Sequence, residues 1–169
     1  MLLHLFHQLS VYSVFFPVFV GLARYRSIPP GYRPFLLFVL LALAGDLGGQ
    51  LLIHYYHNNI AFGNFYTLAE FLVLLLFFHQ WSLPENRPGE LCILCLGIAI
   101  WVLDNLIWHR PGHQNAIFRV AYSLILTWKS AILLARLVVQ KNQAYWKDPL
   151  ILSLFAFLLY FSFKAFIQV

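Results

Sequence analysis

The chain has 169 residues, of which 62% are hydrophobic and only 10% charged, and its net charge is +5. Ordinary soluble domains carry roughly 25% charged and 45–50% apolar residues. This composition excludes a soluble globular enzyme, a disordered tail and, with two cysteines, a disulfide scaffold. It leaves an all-α, polytopic transmembrane helix bundle in a single domain. About six spans of ~20 residues account for ~120 residues, and the remainder makes short connections.

Six spans follow in chain order, at about 2–23, 34–54, 64–78, 91–108, 116–139 and 149–169. The first contains Pro17 and opens with His4, His7 and Gln8, an interfacial pattern. Arg24 to Arg33 is a basic turn around Pro29-Pro30-Gly31, which cannot continue a helix. Tyr55 to Gly63 reads as a loop without Lys or Arg, and Gln80 to Glu90 as a second polar connection. His109 to Asn115 and Gln140 to Asp148 separate the last three spans. No basic region precedes the first apolar run, so no cleavable signal peptide is expected. The chain stops at Val169 without a polar tail, which suggests a missing seventh span or an end packed on a membrane partner or a second copy.

Basic residues set the expected orientation. The first, third and fifth connections carry Arg24, Arg26, Arg33, Arg87, Arg136, Lys141 and Lys147, against Arg110 and Arg119 on the other side. That bias puts the N-terminus outside and the odd-numbered loops in the cytoplasm of a bacterial inner membrane. The positive charge is thereby a topology and headgroup signal, with the lipid bilayer as partner and no nucleic acid implied.

Three patches carry a resemblance. They are the acid in Leu43-Ala-Gly-Asp46, the run Asn58-Asn-Ile-Ala-Phe-Gly-Asn-Phe-Tyr-Thr-Leu-Ala-Glu-Phe71, and Lys147-Asp-Pro-Leu150 with Leu159-Tyr-Phe-Ser162. With them the chain resembles a family of uncharacterised seven-span integral membrane proteins of Bacteroidota, with Asp46 where the family pattern has Glu. The resemblance implies the architecture and brings no assigned reaction.

Charges inside a span cost roughly 2.5–3.5 kcal/mol each on insertion scales and need a partner or a purpose. Asp46, Glu70, Asp104, Arg119, Lys129 and Lys164 are the candidates, and all but Lys129 fall in the outer half of their spans. Asp46, Gln50, His54 and His57 fall within an ~80° helical arc; Arg119, Ser123, Thr127 and Ser130 form another stripe, and Tyr66 lies one turn before Glu70. Such stripes are expected to face the interior. The set Asp46, Gln50, Tyr66, Glu70, Asp104, Arg119 and Lys164 thus reads in two ways. One is ion pairs that fix the helices; the other is an outer-half pocket for a small polar ligand or ion, or the start of a transport path. Lys129, mid-span, is expected to pair with an acid or to snorkel, a Schiff-base lysine being the third reading.

His54 with His57, and His109 with His113, are spaced to share a helix face, which suits Zn or Cu as well as it suits interfacial anchoring. Cys92-Ile-Leu-Cys95 reads as two small apolar residues on the reducing side rather than a redox pair, since no shuttle cysteines accompany it. No Ser-His dyad, His-Glu-x-x-His motif or paired catalytic acids occur at useful spacing. The expected function is a non-enzymatic, sensor- or receptor-like module; the alternative is a small transporter or transporter subunit, ion or proton coupled.

Overall fold

A computed structural model describes residues 15–82, 87–108, 116–140 and 148–167. Most of the first expected span, with His4, His7 and Gln8, and the pair His109 and His113 lie outside these residues. The described chain is helical throughout, with α1 at residues 15–23, α2 Arg33–Tyr56, α3 Ile60–Trp81, α4 Arg87–Val102, α5 Ala116–Gln140 and α6 Pro149–Ile167. No strand occurs among the described residues.

Five of these segments, Pro30–Tyr56, Ile60–Trp81, Pro88–Leu106, Ala116–Val139 and Pro149–Ile167, are long and apolar enough to cross a membrane. Only 11–33% of each apolar window is buried within the protein, so most of the apolar side chains point outward. Phe65, Leu76, Trp128, Leu152 and Phe166 are among those exposed. A soluble monomer rarely exposes so much contiguous apolar surface, whereas a bilayer solvates it. The protein is therefore an all-α membrane protein.

Helix ends differ from the sequence expectation for local reasons. Tyr55 to Gly63 is not a loop: α2 runs to Tyr56 and α3 starts at Ile60, leaving three connecting residues. His57 closes α2 in the left-handed region at φ 53°, its N–H donating to Ile53 O at 3.0 Å. Asn58 Oδ1 accepts from the Ile60 N–H at 2.9 Å and opens α3. Asn58, the first residue of the Asn58-Asn59 pair, is thus accounted for by capping. Asp148 does the same for α6, accepting from the Leu150 N–H at 2.9 Å with Pro149 in the first turn. At the other end of the second connection, α4 begins at Arg87, four residues earlier than expected.

Two compact units make up the described residues, one running up to residue 80 and the other from residue 81 onward. In the first, α2 and α3 form an antiparallel hairpin. Gly45 lies under the Tyr66 ring and Gly48 under the Phe62 ring, so closely that an added Cβ would fall 2.3 and 2.6 Å from them. Small residues of this kind let membrane helices approach. Phe35 and Phe77 continue the contact, ring centroids 6.3 Å apart. In the second unit, α5 and α6 share a core of Phe118, Tyr122, Leu126 and Leu133 with Leu150, Leu154, Phe157 and Phe161. Tyr122 meets Phe161 edge to face at 6.1 Å.

Gly45→Ala is expected to destabilise the protein by about 1–3 kcal/mol through overpacking against Tyr66. Gly49→Ala, whose nearest neighbour is Asn59 Nδ2 at 3.6 Å, is expected to change stability by less than about 0.5 kcal/mol. Thermal unfolding of the detergent-purified variants checks both; equal losses would contradict the glycine contact.

Candidate functional site

The first unit places its expected residues on different sides of their helices. Glu70 is 1% exposed and shares one face of α3 with Asn64 and Thr67, both also buried. Spacing of three residues brings this Asn-Thr-Glu series into one stripe. The Thr67 hydroxyl donates to Asn64 O at 2.9 Å, one turn before Glu70. Tyr66 is half-buried, held over Gly45. Asp46 and Gln50, with His54 and His57, are exposed. The expectation that this α2 stripe faces inward is thereby corrected. The inward side of α2 is taken by Gly45 and Gly48, which lie roughly opposite the Asp46 stripe on the helix wheel.

The second unit holds Asp104, Arg119 and Lys164 at one end of its helices. Past Val102, α4 widens into a π-helical turn, Leu103–Trp108. The altered ladder is supported by Asn105 Nδ2, which donates to Trp101 O at 2.9 Å. The turn aims Asp104, fully buried, at the start of α5, where its Oδ2 accepts from the Phe118 N–H at 2.8 Å. A helix N-terminus offers unsatisfied N–H groups and a positive dipole end, so a carboxylate from the preceding helix is a fitting cap. Lys164, in the last turn of α6, is set among aromatic faces. Its Nζ lies 5.2 Å from the ring centroids of Tyr122 and Tyr160 and 5.6 Å from that of Phe161. Desolvated cation–π contacts of this kind contribute about 2 kcal/mol in favourable cases. Arg119 is half-buried, one turn before Tyr122.

The hydroxyls of the α5 stripe bond within their own helix. Ser123 donates to Arg119 O at 2.7 Å, Thr127 to Ser123 O at 2.8 Å and Ser130 to Leu126 O at 2.8 Å. Back-bonding of this kind satisfies Ser and Thr without water or a ligand. Three of the four residues that suggested a polar lining are thus explained by helix geometry.

Lys129 finds an acid that the sequence reading placed in a loop. Its Nζ lies 3.3 Å from Glu90 Oε1, with the two side chains 20% and 11% exposed. Glu90 sits in the first turn of α4, behind Pro88. Proline is tolerated at the start of a helix, and that signal identifies Pro88-Gly89-Glu90 as helix rather than turn. Asn64 and Thr67 carry no charge, so in the sequence only Glu70 of this series stands out by its cost within a span.

His54 and His57 are both exposed, and among the described residues no group of three or more His, Cys, Asp or Glu gathers at metal-binding distance. Cys92 and Cys95 are free thiols exposed on α4. No family model, curated protein or solved structure matches the chain.

Asp104→Asn retains a carbonyl oxygen able to accept from the Phe118 N–H and is expected to fold nearly as the wild type. Asp104→Leu removes the cap and is expected to cost about 1–2 kcal/mol. Unfolding midpoints of the two variants separate a cap from a residue needed for its charge, since the latter predicts equal damage from both.

Proposed function

We propose that the protein is a non-enzymatic, sensor- or receptor-like membrane module whose ligand is a small polar molecule or ion recognised at Glu70. The supporting observation is a carboxylate only 1% exposed in the middle of an apolar span, on the same α3 face as the buried Asn64 and Thr67. Ionisable residues buried in spans are costly and are kept for binding or relay roles. Oxygen-rich side chains suit a hard cation or a proton. The orientation proposed from the loop charges, N-terminus outside in a bacterial inner membrane, goes with this reading, as does membership of the seven-span Bacteroidota family.

A second reading, a small ion- or proton-coupled transporter, draws support from the Glu90–Lys129 pair. It lies fourteen residues, or ~21 Å along α4, from Asp104, so charged groups occur toward both ends of the second unit.

Sodium and calcium chloride provide the test. A cation at 100 times its dissociation constant stabilises a folded protein by about 2.7 kcal/mol. For a chain of this size, that raises the thermal midpoint by roughly 5–10 °C. One of the two salts is expected to give that shift, relative to choline chloride, in the wild type and not in Glu70→Gln. Equal midpoints in all salts, or a shift that survives Glu70→Gln, would contradict the assignment. Cation uptake into proteoliposomes, abolished by Glu70→Gln, would establish the transporter reading over the sensor.

A further inference from the structure

Cys92 and Cys95 are free thiols, both exposed, on α4. Three residues apart, they stand one above the other on one face of the helix. That face lies roughly opposite Glu90, the residue that reaches Lys129 of α5, so the thiols are turned away from the packing between these helices. Side chains on a helix lean toward its N-terminus. Cys95 therefore leans over Cys92, and Cys92 over the turn that holds Gly89. A Cβ at Gly89 would meet nothing within 4 Å, so the approach to Cys92 is open. Cys92 is four residues, or ~6 Å, from Pro88, where the apolar span begins. The pair is thus reached from the membrane surface.

Geometry selects what the pair can hold. A disulfide needs Cβ atoms about 3.5–4.5 Å apart. Side chains three residues apart in a helix have Cβ atoms ~5–6 Å apart. Both cysteines are interior to α4, which runs as one helix from Arg87 to Val102, so the backbone holds that wider spacing. A direct sulfur–sulfur bond is therefore disfavoured. A single atom between the sulfurs removes the mismatch, because two metal–thiolate bonds of about 2.3 Å let the sulfurs stand up to ~4.6 Å apart. The number of donors then narrows the ion. Zinc in structural sites takes four ligands, and among the described residues no third His, Cys, Asp or Glu joins the pair. Copper(I) is a soft ion suited to thiolates, and two of them in line complete its coordination.

We propose that Cys92 and Cys95 form a two-coordinate copper(I) site near the end of the α4 span. Binding exchanges protons for the ion: two thiols and one copper(I) give a singly negative bis-thiolate complex and two released protons, with no change of oxidation state. The site lies wholly in the second unit and does not depend on the Glu70 reading.

Titration of the reduced full chain in detergent, without oxygen and against a chromophoric copper(I) chelator, tests it. One copper(I) per chain is expected, with two sulfur neighbours in copper X-ray absorption. Because two protons leave, affinity is expected to rise by up to about 100-fold per pH unit below the thiol pKa range. Cys92→Ser and Cys95→Ser are each expected to weaken binding by about 100-fold or more, beyond the loss typical of a group that only supports a ligand. His54→Ala with His57→Ala is expected to keep it. Both thiols are exposed, so the serine variants are expected to fold as the wild type does, which circular dichroism checks. A chain that takes no copper(I) from the chelator would overturn the proposal. So would binding that is retained in either serine variant or lost in the histidine variant.

Discussion

In the hydrocarbon of a bilayer a charged or hydrogen-bonding group has no water to turn to, so each must be satisfied by the protein or confined to its edges. The second unit is arranged around that requirement. At one end of α4, Glu90 meets Lys129 of α5 at 3.3 Å; at the other, Asp104 takes the N–H of Phe118 where α5 begins. The two contacts hold α4 and α5 antiparallel and in register. Between them, Ser123, Thr127 and Ser130 return their hydroxyls to carbonyls of their own helix. Lys164 is placed on three aromatic rings at the far end of α6. Packing then proceeds through Phe118, Tyr122, Phe157 and Phe161, side chains that carry little or no polar requirement.

The first unit meets the same requirement through close backbone approach. Gly45 and Gly48 let α2 lie against Tyr66 and Phe62, and the tight three-residue connection at 57–59 satisfies helix ends through His57 and Asn58. This leaves α3 to present Asn64, Thr67 and Glu70 on its buried side. The glycines also decide what α2 does with its polar residues. Because the glycine side is occupied by aromatic rings, Asp46 and Gln50 are turned to the opposite, exposed side.

The last five spans were legible in the sequence because apolar runs of about 20 residues have one physical meaning, and Pro149 and Ala116 open their helices where the run begins. The ends of α2, α3 and α4 were not, because polar residues such as Asn58 and Glu90 look like loop until their capping or pairing partners are known. Helical periodicity correctly grouped Asp46 with Gln50 and Arg119 with Ser123. It could not say which stripe is buried, since that depends on which side of α2 the Tyr66 and Phe62 rings cover. Lys129 was recognisable as a residue in need of an acid, but the acid lay 39 residues away in sequence.

In the second unit, charges within the spans are held by specific partners inside the protein. A double-mutant cycle on Glu90 and Lys129 tests it most directly. Glu90→Gln and Lys129→Met alone are each expected to lower stability by about 3 kcal/mol, because each removes the other charge's ion-pair partner. Together they are expected to restore most of that loss, giving a coupling well above 1 kcal/mol. Losses that simply add would show that the two residues do not depend on one another and would contradict the account.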